Sequence, residues 1–295
     1  MTIAGLVPIL ATPFDDAGGL DLKSLRRLVE FQLACRVDGV AVFGMASEGF
    51  ALTSAERVRI LTEVRAVAGD SLPVVAGVNA TATQPALEQA KAAADAGADA
   101  LMVLPPFLVK PSGAQLVDFY GAVGAGGLPV MVQDAPAATG VAMPVPLIQN
   151  LSRLDGVTSV KVEAQPTAPK VGEVVASVSP DFAVLGGQNA FFVLEEYARG
   201  AVGTMPACEF ADLLRTVLDD IAASRCDDAQ AGFDALLPLI RFGMQAGIAW
   251  AIHKEVLFRR GVISSVTVRS PALPLDDSSR VELDRILARL ALGPA

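Results

Sequence analysis

Val157-Thr158-Ser159-Val160-Lys161-Val162-Glu163-Ala164 is a short, apolar, β-branched run with one lysine inside it. Such a run reads as a buried strand. An ammonium there is costly, because burial disfavours the charged form and lowers the pKa of the amine. A neutral amine attacks carbonyls, and buried lysines are the usual Schiff-base formers. An edge-strand or ion-paired lysine is the structural alternative. The chain has six lysines, and the other five (Lys23, Lys91, Lys110, Lys170, Lys254) fall on predicted helices or loops.

Outward from this run, similar apolar stretches recur at residues 3–11, 39–43, 73–77, 100–104, 129–133, 183–185 and 201–204. Helical patterns separate them. Residues 22–36 carry apolar positions at Leu25, Leu28, Val29 and Leu33, the spacing of one helix face. Residues 54–68 follow Thr53, which with Glu56 predicts a capping box, and end at Gly69, a C-cap signal. Further helices are predicted at 85–96, 113–124, 144–151, 168–178, 189–197 and 210–222. Strands alternating with helices predict a parallel sheet, closed as a (β/α)8 TIM barrel of class α/β. Unalternating apolar strands fit a sheet covered on both faces. A doubly wound sheet is the competing topology, but its GxGxxG fingerprint after a first strand is absent. We read residues 1–224 as the barrel. Residues 225–295 form a C-terminal helical region, with helices at 233–242, 248–259 and 279–292, packed on the barrel as one unit.

The chain is 295 residues long, 52% apolar and 19% charged, with a formal net charge of −9. The acidic balance argues against nucleic acid and anionic membranes as partners. Cys35, Cys208 and Cys226 match no metal-ligand pattern and fit a reducing compartment, with the cysteines in the core. No signal peptide or membrane span is predicted, and the reading is a cytoplasmic protein.

Active sites of (β/α)8 barrels lie at the carboxyl ends of the strands, where Lys161 falls. Glu163, two residues on, points the same way and offers a carboxylate for the proton transfers of imine chemistry. A loop carboxylate paired to an arginine is its structural alternative. After strand two comes Gly44-Met45-Ala46-Ser47-Glu48, whose backbone N–H groups and Ser47 hydroxyl suit a bound carboxylate; an ordinary turn is the alternative. Gln133 and Asp134 end strand five at the same face. The lone histidine, His253, reads as a packed or capping residue, and Trp250 as core. Tyr120 and Tyr197 fall in predicted helices, so no tyrosine is placed as an acid.

These residues together resemble the dihydrodipicolinate synthase/N-acetylneuraminate lyase family of class I aldolases. The resemblance runs through Val7-Pro8-x-x-Ala11-Thr12-Pro13-Phe14, residues 44–48, Leu52-Thr53-x-x-Glu56-Arg57, Gly77-Val78, Pro105-Pro106, Pro136, Thr139-Gly140 and Lys161. It implies a Schiff base between Lys161 and a 2-oxo acid, with no metal or organic cofactor, in a homo-oligomer, either a tetramer or a dimer. It implies catalytic roles for Lys161, Glu163 and Gln133. It also implies substrate contacts from Ala46, Ser47, Glu48, Asp134, Gly187 and Met205.

The chain departs from the family pattern where the departures bear on the reaction. Met45-Ala46-Ser47 stands for the Thr-Thr-Gly of the usual strand-two motif. Gln133 stands for the tyrosine that relays protons, Phe107 for a second relay tyrosine, and Ala138 for the arginine that grips the aldehyde substrate. These losses argue against a true 4-hydroxy-tetrahydrodipicolinate synthase. The combination is similar to 2-keto-3-deoxy sugar acid dehydratases, such as those acting on L-2-keto-3-deoxyarabonate. Glu163, Ser47 or a water held by Gln133 would then serve as acid or base. A pyruvate-dependent retro-aldolase and a non-catalytic 2-oxo acid-binding protein are the alternatives.

Overall fold

A computed structural model describes residues 2–292. Its eight strands are β1 (Gly5–Leu6), β2 (Val40–Val42), β3 (Val74–Val78), β4 (Ala100–Val103), β5 (Val130–Asp134), β6 (Val157–Val162), β7 (Ala183–Gly186) and β8 (Gly203–Thr204). Each pairs in parallel with its neighbours, and β1 lies beside β8. Ile9 bridges to both Ala41 and Ala207, which closes the sheet into a barrel. The predicted (β/α)8 architecture is therefore the observed one.

The segment predicted as one strand over residues 3–11 pairs continuously only at Gly5–Leu6. Pro8 has no N–H to donate, and Gly5 adopts a positive φ of 75°. The segment stays against the sheet without a continuous ladder: Val7 N–H donates to the Thr204 carbonyl at 3.0 Å, and Ile9 bridges both neighbouring strands.

The helices follow their local signals. Helix Ser54–Ala68 starts at a complete capping box, with Thr53 Oγ1 accepting from Glu56 N–H at 3.2 Å and Glu56 Oε2 accepting from Thr53 N–H at 3.0 Å. The helix expected over 189–197 instead breaks in two, a 3-10 turn at Gln188–Ala190 and a short helix at Val193–Tyr197. Gln188, Asn189 and Ala190 all take positive φ, between 47° and 62°. Such strain persists where surrounding contacts enforce it. Here the Asn189 side chain accepts from Ala207 N–H at 2.9 Å and donates to the Ile240 carbonyl at 3.3 Å.

Two apolar clusters form. Val7, Ile9, Val75, Met102, Met131 and Leu185 fill the barrel interior. A larger cluster joins the outer face of the sheet to the helices, the layering expected for a sheet covered on both sides.

Past the barrel come helices Cys226–Phe242, Ala249–Arg259 and Asp277–Arg289. The first begins seven residues before the predicted 233, with Asp227 and Asp228 in its first turn, where acidic groups favour a helix N-terminus. Cys226, expected in the core, is exposed, whereas Cys35 and Cys208 are buried. Among the described residues no helix is long and apolar enough to cross a membrane.

Candidate active site

Strand register brings the central residues together. Gln133 on β5 sits beside Lys161 on β6, and Lys161 beside Leu185 on β7. Lys161 is 3% exposed. The burial that the sequence makes costly is answered by a partner, because Lys161 Nζ stands 3.2 Å from Glu163 Oε1. Glu163 is itself tethered. Gln133 Nε2 donates to its Oε2 at 2.8 Å, and the Gln188 N–H donates to its Oε1 at 3.2 Å. Amine, carboxylate and two amide donors thus converge at the carboxyl end of the barrel, on one buried unit.

Gly187 makes room for this unit. A Cβ there would collide with Glu163 and stand 2.8 Å from Lys161 Cε. Lys161 and Glu163 line a cavity of about 390 Å³, which Ala46, Ala138, Met205 and Asn189 also line. Among the described residues, no group of three His, Cys, Asp or Glu side chains is placed to hold a metal.

The structure divides the residues expected to contact substrate. Ala46 and Met205 line the cavity, and Gly187 packs against its floor. Ser47 is buried and its Oγ lacks a partner, while its carbonyl accepts from the Thr12 hydroxyl at 2.6 Å. Glu48 and Asp134 do not face the cavity. Glu48 is fully buried in an ion pair with Lys254, and its Oε2 accepts from the Arg269 N–H at 2.8 Å. Asp134 is fully buried 2.6 Å from Lys170 Nζ, which also donates to the Met143 carbonyl. Burial pushes the Asp134 carboxyl up from its ordinary range, and the lysine opposes the shift. Both carboxylates clamp loops that carry the site.

Several residues at the cavity were not picked out from the sequence. Gln188 and Asn189 follow β7, a position where barrel sites gather side chains, so their place was a readable signal. His253 and Trp250 come from helix Ala249–Arg259, and nothing local announces that this helix crosses the barrel mouth. Trp250, expected in the core, is half-buried; its Nε1 donates to the Met45 carbonyl at 2.6 Å and its ring meets Phe50 edge-on. His253 is packed, as expected, but it also lines the cavity, with Nδ1 2.7 Å from Glu209 Oε1. Neither tyrosine lines it; Tyr120 is fully buried and donates to the Val103 carbonyl.

Behind β7, on the face opposite Lys161, lies Glu196. It is fully buried against Gly186, and burial raises its pKa to about 7. A second cavity, of about 600 Å³, lies between helices Ser54–Ala68 and Thr83–Asp95 and includes Arg57 and Glu88 but no residue of the Lys161 unit.

Known proteins resemble this chain along nearly its whole length. The model of the dihydrodipicolinate synthetase family matches residues 2–290. An L-2-keto-3-deoxyarabonate dehydratase of Azospirillum brasilense is 35% identical, over 97% of this chain and 94% of its own. An N-acetylneuraminate lyase of Citrobacter koseri is 29% identical, over 98% of this chain and 97% of its own. The crystal structure of a dihydrodipicolinate synthase from Rhodopseudomonas palustris superposes with a TM-score of 0.92 at 31% identity, covering 98% of this chain and 99% of that one.

Proposed function

This chain belongs to the dihydrodipicolinate synthetase family, and from that premise we propose that it is a lyase that dehydrates a 2-keto-3-deoxy sugar acid through an imine at Lys161. The observation that carries the reading is the Gln133–Glu163–Lys161 unit, with no phenol among the described residues that line its cavity. Cleavage of a carbon–carbon bond asks for a base on the C4 hydroxyl, the task of the missing tyrosine. Dehydration asks instead for a base at C3 and an acid at C4. Likeness to the Azospirillum brasilense dehydratase over nearly the full length of both chains supports the same reaction class.

The steps follow from the chain's own groups. Lys161 Nζ adds to the C2 carbonyl of the substrate, and water leaves to give the iminium. The positive nitrogen acidifies the C3 protons. Glu163, beside the amine and oriented by Gln133 and the Gln188 N–H, removes one to give the enamine. The enamine then expels the C4 hydroxyl as water, which takes up the proton that Glu163 has gained. The substrate carboxylate suits the turn at Met45–Ser47, whose first N–H groups have no partner within the turn. No metal or organic cofactor enters these steps. The reading carries a cytoplasmic location and a homo-oligomer, in which the 75% and 77% exposed Leu108 and Val109 gain cover.

Borohydride trapping tests the imine. Incubation with pyruvate and borohydride is expected to give one adduct, mapped by mass spectrometry to Lys161 and lost in Lys161→Met. An adduct at another lysine, or none, overturns the mechanism. Product analysis with 2-keto-3-deoxyarabonate tests the reaction: a dioxo acid without free pyruvate supports dehydration, and released pyruvate refutes it.

A further inference from the structure

Dehydration as proposed above leaves one proton without a base. Loss of the C4 hydroxyl from the enamine gives a C2 iminium conjugated to a C3=C4 double bond. In a five-carbon substrate, C5 still carries a hydroxyl and two hydrogens. To reach the dioxo acid, one C5 proton must leave. Its electron pair forms C4=C5, the C3=C4 pair moves to C2=C3, and the C2=N pair returns to nitrogen. C3 and then C4 take up protons, the C5 hydroxyl gives up its own, and water hydrolyses the imine. One water is lost per substrate, with no oxidant or reductant.

C5 is three bonds from the carbon attached to Lys161, and Glu163 is engaged by Lys161, Gln133 and Gln188 around the imine end. Among the described residues that line the cavity, the titratable side chains are Lys161, Glu163 and His253. His253 is built to stay in one orientation. It is 5% exposed, its Nδ1 is 2.7 Å from Oε1 of the fully buried Glu209, and its ring leaves no room for a side chain at Gly243, where a Cβ would stand 2.9 Å from Cε1. The backbone at Glu209 is held in turn, since its main-chain carbonyl accepts from Arg260 Nη1 at 2.7 Å, and the buried carboxylate keeps its second oxygen without a partner among the described residues. In the tautomer that donates Nδ1–H to Glu209, Nε2 carries a lone pair, and it has no protein partner among the described residues. A carboxylate holding a histidine in one tautomer is the usual way to make imidazole a base.

We infer that His253, oriented by Glu209, is the second base of the site and takes the C5 proton after the C4 hydroxyl has left. The site is accordingly built for 2-keto-3-deoxy acids that end in a hydroxymethyl group at C5. The inference rests on the dehydratase reading.

His253→Gln and Glu209→Gln test it, with pyruvate and 2-keto-3-deoxyarabonate as probes. In His253→Gln, trapping of pyruvate and deuterium exchange of its methyl protons are expected to stay within about threefold, while dioxo acid formation falls at least about 100-fold. Loss of the C4 hydroxyl continues, so a conjugated 5-hydroxy-2-oxo-3-enoic acid accumulates, visible by its ultraviolet absorbance. Glu209→Gln is expected to lower kcat about tenfold or more with KM unchanged. Dioxo acid formation at the full rate in His253→Gln overturns the inference and leaves the dehydratase reading standing. An equal loss of exchange, trapping and dehydration also overturns it, assigning His253 to structure. Release of pyruvate by the unaltered enzyme removes both readings at once.

Discussion

Lys161 can sit on an apolar strand because one backbone position opposite it has no side chain. Gly187 lets β7 pass against Glu163 and the end of the lysine stem, and a methyl group there would need both to move. Gly187→Ala should therefore displace the amine and its carboxylate together while leaving the strands paired. Misplacement of reacting groups by about 1 Å costs on the order of 100-fold in rate. We expect that loss in turnover and in pyruvate trapping, with the circular dichroism spectrum and thermal midpoint close to those of the unaltered chain. Trapping at the normal rate in Gly187→Ala would show that the close packing has no bearing on the amine. At this scale the sequence was informative about Lys161 and Glu163, because a charge in an apolar strand demands a partner. It was uninformative about Glu48 and Asp134, since their motif positions do not reveal the lysines that draw them away from the cavity.

At the scale of elements, strands β2 to β7 were legible to within a residue or two because each is a short run dominated by apolar and β-branched residues between helical patterns. The 188–197 segment was not, because a tertiary contact through Asn189 overrides its helical pattern. The short helix that survives there, Val193–Tyr197, carries Glu196 into the layer behind β7. Both oxygens of Glu196 lack a well-aligned hydrogen-bond partner; burial, together with the nearby Glu163, holds the proton on, and Thr167 only partly opposes this. The folded state thus binds this proton more tightly than the unfolded chain, with a pKa of about 7 against the ordinary 4.5. Stability contributed by the neutral acid is complete below pH 4.5 and is lost as pH rises through 7, a loss of about 3 kcal/mol. Glu196→Gln keeps the shape and removes the titration. Its thermal midpoint should fall less between pH 5 and pH 8 than that of the unaltered chain, and should exceed it at pH 8. Parallel curves for the two proteins would place the ionisation elsewhere.

Across the whole molecule, the C-terminal helices were legible as helices but not as part of the site, because sequence periodicity gives their apolar faces and not where they dock. They and the loop between them dock through ion pairs, one of them fully buried. Lys254 pairs with Glu48 beside the cavity and donates to the Thr267 carbonyl at 2.7 Å, and Arg269 reaches Glu56 at the start of helix Ser54–Ala68. Burial lowers the Lys254 pKa to about 8, with Glu48 opposing the shift. The pair links the helix that brings His253 and Trp250 over the cavity to the loop that brings Ala46 into it. Removing one partner of such a pair strands the other charge in the interior, at about 3–5 kcal/mol. Lys254→Met fills the same volume and leaves Glu48 alone, so the thermal midpoint should fall by roughly 6–20 °C at about 2–4 °C per kcal/mol. Lys161 itself keeps its immediate neighbours in this variant. Pyruvate trapping at 25 °C should therefore persist, while KM for 2-keto-3-deoxyarabonate rises as the helix over the cavity loosens. A normal midpoint with trapping abolished would instead make Lys254 part of the reacting site, and Glu48 with it.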